Sequence, residues 1–231
     1  MLSRMLSCSG WKECVIGTSP GSLYRGHEVA RLRVSSSLRV ASGRQGGHLM
    51  SDERFKNEIT QLTRLKNILQ SDVVLPLRFD IQPLGLGYRR FKLTITGITS
   101  LVMNPGSSAL RTANTFTVNV EVPLGYPWTA KPEIRFEPPL PFHPHIWPAG
   151  SICWGSGNNP NPDLTLADWI RGVVEYLQYN QDQASLLRMN PSSPANREAM
   201  QWWQSQRGSV SRYVPPIDMA RLRVWINQTR G

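Results

Sequence analysis

The stretch Pro138–Asp163, PPLPFHPHIWPAGSICWGSGNNPNPD, decides how this chain folds. It carries Pro138, Pro139, Pro141, Pro144, Pro148, Pro160 and Pro162. Proline offers no amide donor and holds its φ fixed, so neither a helix nor a central strand can run through such a segment. A long irregular segment inside a compact domain is usually functional or disordered. The interleaved Trp147, Ile152 and Trp154 predict an ordered, packed loop.

Strand patterns lie before this loop and helix patterns after it. Leu75 to Ile81 alternates apolar and polar residues, as does Arg90 to Thr99 through Phe91, Leu93 and Ile95. Residues 103–114, with Asn104-Pro105-Gly106-Ser107, read as a turn-rich connection. Phe116, Val118, Val120 and Val122 alternate with Thr117, Asn119 and Glu121, and Ile134-Arg135-Phe136 forms a short edge-like strand. Consecutive strands with no helix between them predict an antiparallel meander. Before the strands, Phe55, Ile59, Leu62, Leu65 and Leu69 recur at helical spacing, and Ser51-Asp52-Glu53 reads as the helix start. That predicts one amphipathic helix of about five turns.

After the loop, Leu166, Ile170, Val173, Val174 and Leu177 give Leu164–Leu177 an apolar face. Pro194–Gln206 reads as a second helix, with Ser193 as cap and Pro194 at its first position. A short helix after Pro215-Pro216 holds Leu222, Trp225 and Ile226. Helix, meander, long loop and helices together define an α+β domain.

At roughly 100–200 residues per domain, 231 residues allow one domain with extensions or two small ones. Residues 1–49 are rich in Ser, Gly and Arg and lack a sustained hydrophobic period. They are expected to be a disordered extension or a mis-assigned start with Met50 as the true one. A transit peptide for an organelle and a basic arm are the competing readings. The domain proper is expected over 50–207, with 208–231 as a C-terminal extension that is a packing helix or a partner site. The formal charge is +10, and residues 1–49 supply half of it with 7 basic and 2 acidic side chains. The body is only mildly basic, which argues against a nucleic-acid partner. No stretch approaches the ~18 apolar residues of a membrane span, so no membrane partner is expected. Cys8, Cys14 and Cys153 cannot make a disulfide framework, and only Cys153 lies in the body.

The chemistry is concentrated in Phe142-His143-Pro144-His145-Ile146-Trp147-Pro148-Ala149-Gly150-Ser151-Ile152-Cys153. Two histidines and the one cysteine of the body admit three uses. Cys153 can serve as a thiolate nucleophile. His143, His145 and Cys153 can ligate zinc, although no fourth ligand is evident nearby. A Cys–His hydrolase pair is the third, lacking an evident Asn or Asp to orient the imidazole. The bland alternative is a loop histidine satisfying a carbonyl and a buried, inert cysteine.

This stretch resembles the active-site segment of ubiquitin-conjugating enzymes. That family carries His-Pro-Asn, then a cysteine eight residues after the Asn inside Gly-x-Ile-Cys. Here His143-Pro144-His145 precedes Cys153 by that interval, and Gly150-Ser151-Ile152-Cys153 matches in full. Val122-Pro123-Leu124-Gly125-Tyr126-Pro127 is similar to the family's Pro-x-x-Tyr-Pro. Lys131-Pro132-Glu133-Ile134-Arg135-Phe136 is similar to its Pro-x-Val-x-Phe, with about one extra residue between. Leu164-Thr165-Leu166 resembles Leu-Thr-Ile, and Asn190–Ala199 resembles the opening of the following helix. The matches are collinear over roughly 51–207. The Arg bias and the unusual N-terminus suit a bacterial conjugation operon as well as a eukaryotic source.

The resemblance implies a UBC-like fold and an acyltransferase activity. An activating enzyme would load a ubiquitin-like modifier onto Cys153 as a thioester, and an acceptor amine on a protein substrate would take it, with or without a ligase. No cofactor and no metal are implied. His145 stands where the family has the Asn credited with oxyanion stabilisation or loop structure, and His143 is implied to hold the loop. An imidazole N–H can still donate, and it gains charge below about pH 6.5. A His-Pro-His variant occurs among active members, including one that modifies protein N-terminal amines. Ser192-Ser193 stands where many members have an acid that tunes the incoming lysine, and Asp163 is the candidate substitute. Partner contacts are implied for Arg54, Lys56 and Arg64 on the first helix, for Pro127 and Trp128, and for Pro162 and Asp163. Otherwise the basic helix positions are a solvated face. The alternative is a non-catalytic binding module of the same fold. A cytoplasmic setting is expected, with organelle targeting by residues 1–49 the exception.

Overall fold

The computed structural model describes residues 43–85, 89–104, 109–154, 159–179, 194–206 and 209–230, with the backbone alone for 43–51. Cys8, Cys14, most of the 1–49 extension, the Pro105-Gly106-Ser107 turn, the Ser193 cap and Ser192-Ser193 lie outside the described residues. The chain runs α1 (Gly43–Ser71), β1 (Arg78–Pro83), β2 (Arg90–Met103), β3 (Leu110–Glu121), β4 (Glu133–Phe136), α2 (Leu166–Leu177), α3 (Arg197–Gln206) and α4 (Met219–Thr229). The four strands form one antiparallel sheet in chain order. The architecture is α+β, an N-terminal helix, a four-stranded meander, the long loop and C-terminal helices.

α1 begins eight residues before the expected start at Ser51. Asp52 does not cap it, because its carboxylate accepts from the Arg89 guanidinium at the start of β2. The face bearing Phe55, Leu62, Leu65 and Leu69 is buried, as the 3.6 period requires. In the sheet, Leu93 pairs with Val118 and Val120 with Ile134, so the alternating apolar residues share one face. They pack on α1 and on Ile170, Val173 and Val174 of α2. β2 runs four residues past the expected Thr99. A register shift between Thr96 and Ser100 moves the buried positions from 91, 93 and 95 to 98, 100, 101 and 102, which disguises the continuation in the sequence.

α2 opens at Leu166 with a capping box: Thr165 Oγ1 accepts from the Asp168 amide, and Asp168 Oδ2 accepts from the Thr165 amide at 2.9 Å. Arg230 donates to the same oxygen at 2.5 Å, tying the end of α4 to the start of α2. α4 places Leu222 and Ile226 in the main core. Its Arg221 and Trp225 each donate to Asp72 Oδ2 at 2.6 Å, just past the end of α1. The Arg221 guanidinium, more than any other neighbour, holds the Asp72 carboxyl well below the usual carboxylate range. Among the described residues no helix is long and apolar enough to cross a membrane.

Candidate active site

The proline-rich loop is a backbone-bonded layer laid against the outer edge of β4. Arg135 bridges Ser151, Ile146 bridges Ile152 and Val102 bridges Pro141, all antiparallel. The Phe136 amide donates to the Gly150 carbonyl at 2.9 Å, and the Gly150 amide to the Trp147 carbonyl at 2.8 Å. Gly150 has φ +85°, and a Cβ there would stand 2.4 Å from the Phe136 carbonyl oxygen. The turn therefore demands glycine twice over, for its backbone angle and for the approach of β4.

His143 is fully buried among Tyr176, Tyr179 and His145, with ring centroids 4.7, 4.9 and 6.1 Å away. Its Nδ1 accepts from the His145 amide at 3.1 Å, which assigns the ring proton to Nε2. Burial, reinforced by His145, pushes the His143 pKa well below its ordinary value, so the ring is neutral at pH 7. Tyr179 donates to the Phe142 carbonyl and closes the layer from the end of α2. The Asn196 amide donates to the Pro144 carbonyl at 3.0 Å, and Asn196 Oδ1 accepts from the Ala199 amide at 3.0 Å. Asn196 therefore caps α3, which begins at Arg197 and not at the expected Pro194, and it ties that helix to the loop.

Cys153 sits at the end of this layer and is half-buried. Its amide donates to the His145 carbonyl at 2.8 Å, and its carbonyl accepts from Tyr176 Oη at 2.9 Å. Both backbone groups of the residue are thus held. Tyr176 comes from the core face of α2 and stacks on His145 (14° between planes) and Trp154 (22°). Burial, then the neighbouring Cys153 and Glu175, raises its phenol pKa, so Tyr176 remains a donor. Ser151, Ile152 and Trp154, which flank the cysteine, line a groove of about 510 Å3 together with Lys131, Glu133 and Arg135; Cys153 itself does not line it. Lys131 is within electrostatic reach of Cys153.

His145 is buried, and burial lowers its pKa from 6.5. The expected gain of charge below pH 6.5 is therefore displaced to more acid conditions: at neutral pH His145 can donate one N–H from a neutral ring. Among the described residues no three of His, Cys, Asp and Glu are grouped to hold a metal ion. Asp163 is exposed in a turn where its amide donates to Asn161 Oδ1 at 3.0 Å, and no contact of its carboxylate with Cys153 is present among the described residues.

The surface positions divide. Lys56 and Arg64 are exposed on α1, as a solvated face requires. Arg54 differs from them. Its Nε pairs with Glu58 at 2.7 Å, its Nη2 donates to the Pro162 carbonyl at 2.5 Å, and its guanidinium lies 5.6 Å from the Trp128 ring centroid. Pro127 is buried, Pro162 is half-buried, and Trp128 is 55% exposed. Glu58, which sequence reasoning missed, is the hub beneath them. It is buried and accepts from Tyr126 Oη at 2.5 Å and the Leu166 amide at 2.8 Å. Arg54 and Glu58 thus hold together α1, the Tyr126–Trp128 turn and the start of α2. The i, i+4 pairing of Arg54 with Glu58 was the one signal for it in the sequence. Lys131 and Tyr176 were missed as well, because neither stands out locally from a turn or a helix face.

No family model matches the chain. Among solved structures the chain is similar to a ubiquitin conjugating enzyme E2 from Plasmodium falciparum, at 17% identity and a TM-score of 0.36, over 65% of this chain and 94% of that one. It is also similar to S. cerevisiae Ubc12, at 20% identity and a TM-score of 0.37, over 68% of this chain and 82% of that one. The chemistry of the site stands on the chain's own geometry.

Proposed function

We propose that this chain is a conjugating enzyme: it accepts the C-terminus of a ubiquitin-like modifier as a thioester on Cys153 and passes it to an acceptor amine on a protein. The observation that carries the reading is the setting of Cys153. The residue is half-buried and held through both its amide and its carbonyl, between Ile152 and Trp154, which line an open groove. A thiol that hands on an acyl group needs placement more than it needs a base, because the sulfur leaves as thiolate in the transfer step. His145 supplies the loop with a neutral N–H donor where the resemblance puts the oxyanion group, and His143 is the post that shapes the turn. An acceptor α-amine, with a pKa near 8 against about 10.4 for lysine, requires the least help from such a site, and N-terminal amines are the favoured acceptor class. Asp163 is the carboxylate we assign to tuning a lysine acceptor. Trp128 is the exposed anchor for activating enzyme or ligase, Lys56, Arg64 and Asp163 are further partner contacts, and Arg54, Pro127 and Pro162 shape the platform beneath the tryptophan. The reading carries a cytoplasmic setting and needs no cofactor.

The test supplies activating enzyme, ATP and candidate modifiers to the full chain. Cys153 should form an adduct that reductant removes. Cys153→Ala should form none, and Cys153→Ser should give an ester that resists reductant. If wild type and Cys153→Ala behave alike with a modifier that charges its activating enzyme, the chain is a binding module and not an enzyme.

A further inference from the structure

We propose that Asn196 is a positioning residue for the reaction at Cys153: by capping α3 it aims its own amide at the Pro144 carbonyl and so fixes the His143–His145 turn to which the cysteine is bonded. The catalytic half of the proposal rests on the thioester reading of Cys153.

One peptide unit carries the link. The unit between Pro144 and His145 is bonded at both of its polar groups. Its N–H donates to His143 Nδ1 at 3.1 Å, and its C=O accepts from the Asn196 amide at 3.0 Å. A planar peptide held on both sides cannot turn about its flanking bonds without losing one of the two. Its plane sets the direction in which the chain enters His145, and the His145 carbonyl accepts from the Cys153 amide at 2.8 Å. His143 is therefore one post of the turn and the start of α3 is the other.

The side chain of Asn196 holds its amide in place. Oδ1 accepts from the Ala199 amide at 3.0 Å, and the Asn196 carbonyl accepts from the Met200 amide at 3.1 Å. The first of these bonds fixes the angle at which the chain enters the helix. Ala199 and Met200 are buried in a small cluster that also holds Phe142, Tyr179 and Trp203. Trp202 adds ring contacts, with centroids 6.1 Å from Phe142 and 6.2 Å from Tyr179. α3 is thus anchored in the same cluster as the residue that precedes His143. Without the Oδ1 acceptor the first turn of α3 loosens, and the amide that meets Pro144 is free to swing.

Asn196→Ala and Asn196→Gly both remove the acceptor, and glycine costs the helix little. Asn196→Asp keeps it. Asp218→Ala is the control: Asp218 caps α4 through a bond of the same kind from the Arg221 amide at 2.9 Å, and that bond stays within α4. Two rates are measured on the full chain under native conditions. One is charging of Cys153 by a loaded activating enzyme, resolved into kcat and KM; the other is alkylation of Cys153 by iodoacetamide. In Asn196→Ala and Asn196→Gly, kcat should fall about three- to tenfold, the worth of one cap, with KM unchanged. Alkylation of the half-buried thiol should quicken in both. Asn196→Asp and Asp218→Ala should stay within about twofold of wild type in both rates. An equal fall of kcat in Asp218→Ala overturns the proposal, because lost stability alone then explains it. So does an Asn196→Asp variant as slow as Asn196→Ala. Wild-type kcat in Asn196→Ala and Asn196→Gly, or a loss carried by KM, also overturns it and leaves the conjugation reading standing. If wild type itself takes no modifier, the conjugation reading falls and alkylation alone decides: an unchanged rate in Asn196→Ala and Asn196→Gly removes the tie between α3 and the thiol.

Discussion

Gly150→Ala should cost far more than a glycine replacement of the same backbone angle elsewhere, and Gly85 provides the comparison. Gly85 has φ +83° and Gly150 has φ +85°, so both replacements place an L side chain in the left-handed region. Around Gly85 nothing lies within 4 Å of the new Cβ. Its cost is the backbone strain alone, about 1 kcal/mol after the entropy lost from the unfolded chain is allowed for. At Gly150 the Cβ meets the Phe136 carbonyl oxygen at 2.4 Å, and Leu140 closes the other side at 3.1 Å. Ordinary contact begins at 3.4 Å, so loop and strand must part by about 1 Å. That separation breaks the 2.9 Å hydrogen bond from the Phe136 amide to the Gly150 carbonyl. One buried pair left unmade adds about 1–3 kcal/mol, for a total of about 2–4 kcal/mol. Urea denaturation of the full chain with each variant measures the difference. Gly150→Asn separates the two causes: Asn tolerates the backbone angle but carries the same Cβ, so it should be nearly as damaging as Ala. Because Cys153 follows by three residues, alkylation of the thiol in Gly150→Ala should also change in rate under native conditions. Equal costs at Gly85 and Gly150, within about 0.5 kcal/mol, would refute the close approach of β4 as the reason for glycine.

Stability should fall as pH drops below about 6.5, before the carboxylates titrate. The folded His143 pKa is depressed, so between that value and 6.5 the unfolded chain binds the extra proton, and its stabilising contribution is full above 6.5. The slope from this one residue reaches about 1.4 kcal/mol per pH unit. Urea midpoints at pH 7.5, 6.5 and 5.5 measure it, and an equally steep slope in His143→Gln counts against the assignment. Tyr176→Phe removes the hydroxyl that holds the Cys153 carbonyl and nothing that faces a partner. It should slow charging by about three- to tenfold, corresponding to about 0.7–1.4 kcal/mol, with KM for the loaded activating enzyme unchanged. A wild-type rate, or a loss carried wholly by KM, would remove Tyr176 from the site.

Much of the framework was legible because each element's own period records which side it buries. The alternation of Phe91, Leu93 and Ile95 and of Phe116, Val118 and Val120 predicts the meander that forms. The spacing of Phe55, Leu62, Leu65 and Leu69 predicts the buried face of α1. The prolines of 138–163 exclude regular structure there, and among its described residues the loop forms isolated bridges only. The continuation of β2 past Thr99 was hidden because a register shift changes which residues face inward, and a period of two cannot survive it. The cap of α3 was misassigned because Ser193 and Asn196 are both competent caps. The contact of Asn196 with Pro144, fifty-two positions earlier, selects between them.

The site divides along the same line. From residue types and spacing alone, Cys153, His143 and His145 stand out as the reactive set, since thiol and imidazole chemistry is written in the side chain itself. Tertiary structure decided what surrounds them. It makes both imidazoles neutral by burying them, brings Tyr176 from α2 to the Cys153 carbonyl, brings Lys131 into the lining of the groove, and turns Arg54 inward onto Glu58 and Pro162. Desolvation and hydrogen bonding between segments far apart in the chain depend on distances through space, and a one-dimensional pattern carries no record of those distances.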